Sequence, residues 1–564
     1  MRPAAALGEI FARPHSPGPP VPRYPFAIAL ACAATTSSLA QAPSKSTRYS
    51  DLTTLFADWR AFQRPVSKEG VPDYSVDAMA RQARALGAYQ RRLAAIDHRA
   101  WPIDQQVDWY IVRAEMSGLE FDHRVLRPWA NNPAFYVTVF GDRSDQPARE
   151  GPFAIGAVEV WRYSFPLTTA AAAQMDSGIR VIPALLRQAQ RNLTGNGRDL
   201  WTYGAKVMHA QSSELAKLAE RIGTAPGSLS ADVQRAQSAT DAFAHWLDEQ
   251  APTKKGHSGI GVANYDWYLT HVQLVPLTWR DEKTLMESEL ARAWALLAME
   301  ERRNAGLPEQ TLVASADEHT RRFNDAVTEY MAYLASHDLM TVKPYMEPAL
   351  RAQIGTFSAG PREFFTEVDY RDPEVMRTHG YHWFDLARMD SEPNPDPIRR
   401  GALLYNIFNT RTEGFATAWE ELMMQAGMFD AHPRSRELIY ILVAERAARA
   451  LGELGMQSNA YTLEQAATFA SANTPRGWLS LQGELVRFEQ HLYLQQPGYG
   501  TCYLIGKMQL EMAIAARRKK EGDAFSMRRF MDDFNAAGLV PASLLRWELT
   551  GVMAEDVKKM LDAP

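Results

Sequence analysis

The sequence predicts an all-α protein, mostly helical, with two lobes around a central cleft and at most a small β element. Three observations carry this. From Ser50 onward, apolar residues recur at three-to-four spacing through most of the chain, the period of a helix with one buried face. Strand-like composition is confined to short runs, of which PAFYVTVFGDRS (133–144) is the clearest. No fixed-period repeat is present, which disfavours a solenoid.

The bulk numbers exclude several classes. A chain with 46% hydrophobic and 23% charged residues is ordinary for a globular protein. The net charge of -5 is spread without blocks, so no basic stripe argues for nucleic acid. A mean hydropathy of -0.32, with no 18-residue apolar run beyond the N-terminus, excludes a polytopic membrane protein. The cysteines are Cys32 and Cys502, too few for a disulfide framework or a cysteine-based zinc site. Cys502 reads as packing.

Taken in order, residues 1–42 read as a signal peptide. A basic residue, Arg23, precedes an apolar run, and SSLAQA ends in the small-x-small pattern Ala40-Gln41-Ala42. The Pro-rich stretch before Arg23 is long for such a leader and suggests a start near Val21. The expectation is an exported, periplasmic protein with no integral span in its mature chain. A lipid anchor at Cys32 is the weaker alternative, since Ala29 stands where leucine is usual in that motif. An N-terminal helical lobe is expected over 43–250, with Gly- and Ser-rich breaks at GNGRD and APGSLS. Residues 251–264, APTKKGHSGIGVAN, form a loop between lobes. A C-terminal lobe covers 251–564, with long helices over 281–304 and 314–336. Residues 345–372 are the expected place for a small sheet. EPNPDP (392–397) is a turn, because prolines at alternate positions cannot continue a helix. Helices resume over 434–453, 462–472, 477–493, 502–520 and 525–537. QPGYG (496–500) opens the helix of Cys502 and leaves backbone N–H groups to meet an anion.

Chemistry-bearing residues concentrate in 371–421. On a helix, His379 and His382 share a face, as do His382 and Asp385. Glu413 and Glu420 lie two turns apart on one stripe. A helix with His and Asp beside a helix with Glu is how bundles build internal metal or acid/base sites. Tyr381, Trp383, Phe384, Phe365, Tyr405, Phe408 and Trp419 add either core packing or an apolar pocket for an aromatic substrate.

Four segments together resemble a bacterial family, domain of unknown function 885, whose members are treated as helical zinc-peptidase-like proteins. They are GIGVANYDWYLTHVQLVPLT (259–278), NTRTEGFATAWEEL (409–422), ELVRFEQHLYLQQPGYGTCYLIGKMQL (484–510) and FSMRRFMDDFNAAGLVPASLL (525–545). The family's H-E-x-x-P-G-H-H-x-Q helix is degenerate here, as His379-Gly-Tyr-His382-Trp-Phe-Asp385. The resemblance implies one divalent metal, zinc first, on His379 and Glu413 with Asp385 as a substituted third ligand. It supplies no general base at Gly380. Glu420, His382 and Tyr503 are candidates to activate a water. Arg487 and Tyr503 come from a block that would face substrate, as carboxylate holder and oxyanion donor. Three functions stay open: a divergent hydrolase acting on a small molecule, aromatic compound or peptide; a metal-independent acid/base lyase or hydrolase; and a non-catalytic binding protein.

Overall fold

The structure is a computed structural model and describes residues 46–223, 227–401 and 408–563. The leader with Cys32, and Tyr405, lie outside these. The described chain is all-α, with two pairs of two-residue strands, Ser67–Lys68 with Val71–Pro72 and Val139–Phe140 with Val158–Glu159. The strand-like run at 133–144 thus yields a 3-10 turn, Pro133–Tyr136, and one very short parallel strand. The sheet expected over 345–372 does not form. Short helices, Met346–Arg351 and Phe364–Arg371, occupy that stretch and bury Leu350, Phe364 and Val368 at helical spacing.

Two large cores organise the molecule. One lies among the helices Thr169–Ile179, Ile182–Asn192, Arg198–Ile222 and Leu229–Gln250, with Trp201, Leu215 and Phe243 at its centre. The other joins the first three helices, Tyr49–Phe62, Val76–Ala94 and Ile103–Phe121, to the C-terminal half. In the first helix Leu52, Leu55, Phe56 and Trp59 form a single buried stripe, the i, i+3, i+4, i+7 pattern of one face.

Two helices at the centre of the C-terminal half have no exposed face. Asn409–Gln425 buries every residue except Leu422 and Gln425, and Ser435–Gln457 every residue except Arg436 and Gly455. Both carry charges, and buried charge is tolerated only when paired and hydrogen-bonded. These helices therefore hold the polar network that forms the site. Asn409–Gln425 crosses Tyr499–Glu521 at a glycine pair. A Cβ on Gly414 would stand 2.2 Å from the Gly506 Cα, and a Cβ on Gly506 would stand 2.1 Å from the Thr410 carbonyl oxygen. The crossing brings the two backbones into direct contact and fixes the height of Glu413.

The free N–H groups expected at QPGYG are already taken. Gly498 caps the Tyr499–Glu521 helix in the left-handed conformation, at φ 80°. Its N–H and that of Thr501 donate to the carboxylate of Glu453, from the neighbouring buried helix. An internal carboxyl group, which burial and Glu282 push well above the usual carboxyl range, thus fills this helix N-terminus. A second buried acid lies beside it: Glu282 accepts from Tyr265 Oη at 2.9 Å, and burial pushes its carboxyl up to about 7. An acid with a raised folded value binds more protons folded than unfolded, so stability falls as pH rises from about 4.5 to 7. At about 1.4 kcal/mol per unit the full effect is about 3 kcal/mol. Glu282→Gln is expected to be more stable than the parent at pH 8 and close to it at pH 4.5. Urea denaturation at the two pH values checks this, and equal destabilisation at both would contradict it.

Candidate functional site

The chain from Pro373 to Ser391 forms two helices, Pro373–His379 and Tyr381–Ser391, broken at Gly380. Only glycine fits at the break: a Cβ on residue 380 would lie 2.5 Å from Leu350 Cδ2 and 2.9 Å from the Arg377 carbonyl oxygen. A glutamate at 380 would be driven toward Leu350. The kink turns the two imidazoles together, with ring centroids 4.9 Å apart.

Facing them is the Asn409–Gln425 helix. His379, His382 and Glu413 each offer a ligand atom, and these three atoms lie within 4.8 Å of one another. This is the only such trio of His, Cys, Asp or Glu among the described residues. His382 Nε2 stands 3.2 Å from Glu413 Oε2, both side chains almost fully buried. That nitrogen makes no aligned hydrogen bond. Gln146 bridges the pair: its Nε2 donates to Glu413 Oε1 at 2.9 Å and stands 3.3 Å from His382 Nδ1. Thr412 Oγ1 holds the other end of the Gln146 amide at 2.6 Å. Tyr499 Oη donates to Glu413 Oε1.

The second histidine is clamped from behind. His379 Nδ1 lies 2.8 Å from Glu420 Oε1. Glu420 is fully buried and held by both ends of the Arg446 guanidinium, at 2.7 and 2.8 Å. Arg446 Nη2 also stands 3.2 Å from His379 Nδ1; in the tautomer whose Nδ1–H faces Glu420, Nε2 keeps its lone pair, the arrangement that orients metal-binding histidines. Burial lowers the His379 imidazole against the opposing pull of Glu420, which favours the neutral ring a metal requires. Burial would lower His382 too, but Glu413 outweighs it and the ring sits at about 9. Glu413 is the converse: burial raises it, and His382 brings it down to about 2.

The structure brings together His379, His382, Glu413 and Glu420, with Tyr503 at their edge. Tyr503 is half-buried, its ring 5.8 Å from that of Tyr499 and beside Arg446 and Arg449. Asp385 does not join them. Its carboxylate faces away into two guanidinium groups, Arg411 at 2.6 Å and Arg388 at 2.8 Å, all three buried. The two arginines explain this: they donate to both of its oxygens and hold the side chain away from the histidines. Arg487 is also elsewhere: it pairs with Glu464 at 3.0 Å near the surface. Glu420 has both oxygens engaged, so it orients His379 and is not free to take a proton from water.

Of the aromatic residues near the site, Tyr381, Phe384, Phe408 and Trp419 belong to the main core, with Tyr381 and Trp419 both packed on Phe415. Three partners of the site went unread in the sequence. Gln146 lies in an irregular segment and gives no signal. Tyr499 sits within the noted QPGYG stretch. Arg446 had a readable signal, a charge inside the apolar run LIYILVAERAARAL.

Residues 382–549 match the model of a family described as "Bacterial protein of unknown function (DUF885)". The resemblance read from the four segments is therefore found independently over the part of the chain that carries His382, Glu413, Glu420 and Arg446. Two solved structures are similar across nearly the whole chain. One is a proposed lipoprotein of unknown function from Shewanella oneidensis, with a TM-score of 0.65 and 12% identity, covering 89% of this chain and 99% of its own. The other is a proposed lipoprotein from Colwellia psychrerythraea, with a TM-score of 0.60 and 16% identity, covering 90% and 99%. At these identities the likeness is one of fold. No curated protein matches the chain. No helix among the described residues is long and apolar enough to cross a membrane.

Proposed function

We propose that the chain is a metal-dependent hydrolase whose centre is His379, His382 and Glu413. The observation that carries this is the convergence of three ligand atoms within 4.8 Å, with the outer nitrogen of His379 already held by a buried carboxylate. Two imidazoles and one carboxylate suit zinc, and such a three-ligand set leaves a coordination position for water or substrate. The bound cation would supply Lewis acidity toward a carbonyl and make a nucleophile available near neutral pH. The protein's own part is positional. Glu420 and Arg446 fix the His379 ring, and Gln146 and Tyr499 fix the Glu413 carboxylate. Tyr503 is the side chain with a hydroxyl available at the edge of the cluster, suited to donate to a developing oxyanion. Exclusion of water by the surrounding core strengthens each of these interactions.

A zinc titration followed by calorimetry tests the arrangement. Glu420→Gln keeps the shape but weakens the hold on His379, and affinity is expected to fall about 10–100-fold. An unchanged affinity would mean that Glu420 does not orient the ring. A second reading rests on the 3.2 Å pair of His382 and Glu413, which could serve as an acid/base couple without metal. Turnover that survives complete chelation would favour it.

Export is part of the same proposal. It rests on the leader pattern ending at Ala42, and the description of both structural relatives as proposed lipoproteins supports it. Mass spectrometry of the mature N-terminus is expected to find cleavage after Ala42. An acylated Cys32 would assign a lipid anchor instead, and an intact leader would refute export by this route.

A further inference from the structure

A second buried polar cluster adjoins the proposed centre and takes no part in it. One helical turn beyond Arg446, Arg449 is fully buried, with its guanidinium between the rings of Phe365, Tyr493 and Tyr503 at 5.4–5.9 Å. It pairs with Glu445 at 2.8 Å and with Glu489. The charges do not balance. Arg446 is committed to Glu420, so Glu445 and Glu489 share one guanidinium. Several polar atoms are also left without a hydrogen bond. These are the outer oxygen of Glu489, both oxygens of Glu445, Arg449 Nε, whose 2.8 Å approach to Glu445 is not aligned as a hydrogen bond, and the hydroxyl of Tyr493 in a side chain 1% exposed. Glu363, whose two oxygens are likewise unsatisfied, adds to the negative field at Glu489. Buried polar atoms are satisfied in more than nine cases in ten, so a group of them on two neighbouring helices, with Glu363 beside them, points to a place for a hydrogen-bonding partner.

Burial pushes the Glu489 carboxyl up to about 8 and raises that of Glu445 as well, so a partner that donates hydrogen bonds and carries positive charge would let both ionise beside the one guanidinium. Some exposure remains at both clusters: 17% of the His379 side chain and 11% of that of Glu489, and Phe365 and Tyr503 are half-buried. Resting on the hydrolase reading for its place in catalysis, we propose that Glu489, Glu445 and Tyr493 form a subsite for a cationic amino group. The ammonium nitrogen of the substrate would be held there, with the bond to be broken at the adjoining centre. The substrate class is thus a small compound or short peptide with a free amino group near its scissile carbonyl. Three donors on a compact ammonium match the carboxylate and phenol acceptors that lack partners.

Calorimetry on the full chain, without added metal, tests this apart from catalysis. The probes are leucinamide and N-acetyl-leucinamide, in which an acetyl group replaces the charged ammonium by a neutral amide. Leucinamide is expected to bind at least tenfold more tightly. Glu489→Gln is expected to abolish that preference, and Tyr493→Phe, which removes only a hydroxyl, to reduce it by three- to tenfold. Equal binding of the two probes, or a preference that survives in both variants, would overturn the subsite and leave internal water as the partner of these atoms. With zinc added, cleavage of leucine anilide but not its N-acetyl form would join the two readings. Amine-selective binding without turnover of either anilide would defeat the hydrolase and keep the subsite.

Discussion

Replacing Asp385 by alanine is expected to destabilise the protein by about 3–5 kcal/mol and to leave its metal capacity intact. The carboxylate takes four hydrogen bonds, two from Arg411 and two from Arg388. Arg411 is fully buried and Arg388 nearly so. Removing the shared anion leaves two guanidinium groups facing each other in a medium that solvates neither. Burial alone would raise the Asp385 carboxyl, but Arg411 and Arg388 hold it well below the usual range. A depressed value means that its contribution is present above the unfolded value, near 4, and is lost as pH falls through the folded one. The loss of stability in the variant should therefore be full at neutral pH and shrink in strong acid. Chemical denaturation of parent and variant measures it. A variant of parental stability that has lost its metal would return Asp385 to the ligand set and contradict the geometry.

The second large effect is expected at the glycine crossing. Gly506→Ala places a methyl 2.1 Å from the Thr410 carbonyl oxygen and 2.6 Å from the Gly414 Cα. Neither obstacle is a side chain that can rotate away, so the two helices must separate. Overpacking of this kind costs about 1–3 kcal/mol where side chains can yield, and the upper end or more is expected where only backbone can. Glu413 precedes Gly414, so separation would also shift a proposed ligand relative to the histidines. Thermal unfolding and zinc affinity should both fall. An unchanged melting temperature would mean that the helices do not meet as described.

Much of the fold was legible because helical periodicity survives on amphipathic segments. The 281–304 and 314–336 stretches appear as Trp279–Arg303 and Ala316–Ser336, within a residue or two of the expected ends. The site was legible in part. The spacing of His379 and His382 announced a pair, and Glu413 and Glu420 announced a stripe. What spacing could not reveal is the break at Gly380, where Leu350 from another helix leaves no room for a Cβ. Asp385 still follows His382 by one turn on the Tyr381–Ser391 helix, but its carboxylate is taken by Arg411 and Arg388, and the kink brings His379 to His382 instead. The anion site expected at 496–500 failed for a related reason. The donors are real, but Glu453, remote in sequence, arrives first. Gln146 lies 267 residues from Glu413 and is placed by tertiary structure alone.

Metal bound per chain, measured on the purified protein after zinc loading and gel filtration, tests the central claim most directly. One zinc per chain is expected in the parent and in Asp385→Asn, and close to none in His382→Ala and Glu413→Gln. A parent that retains no zinc, or a His382→Ala variant that retains it in full, would contradict the assignment of His379, His382 and Glu413 as the centre.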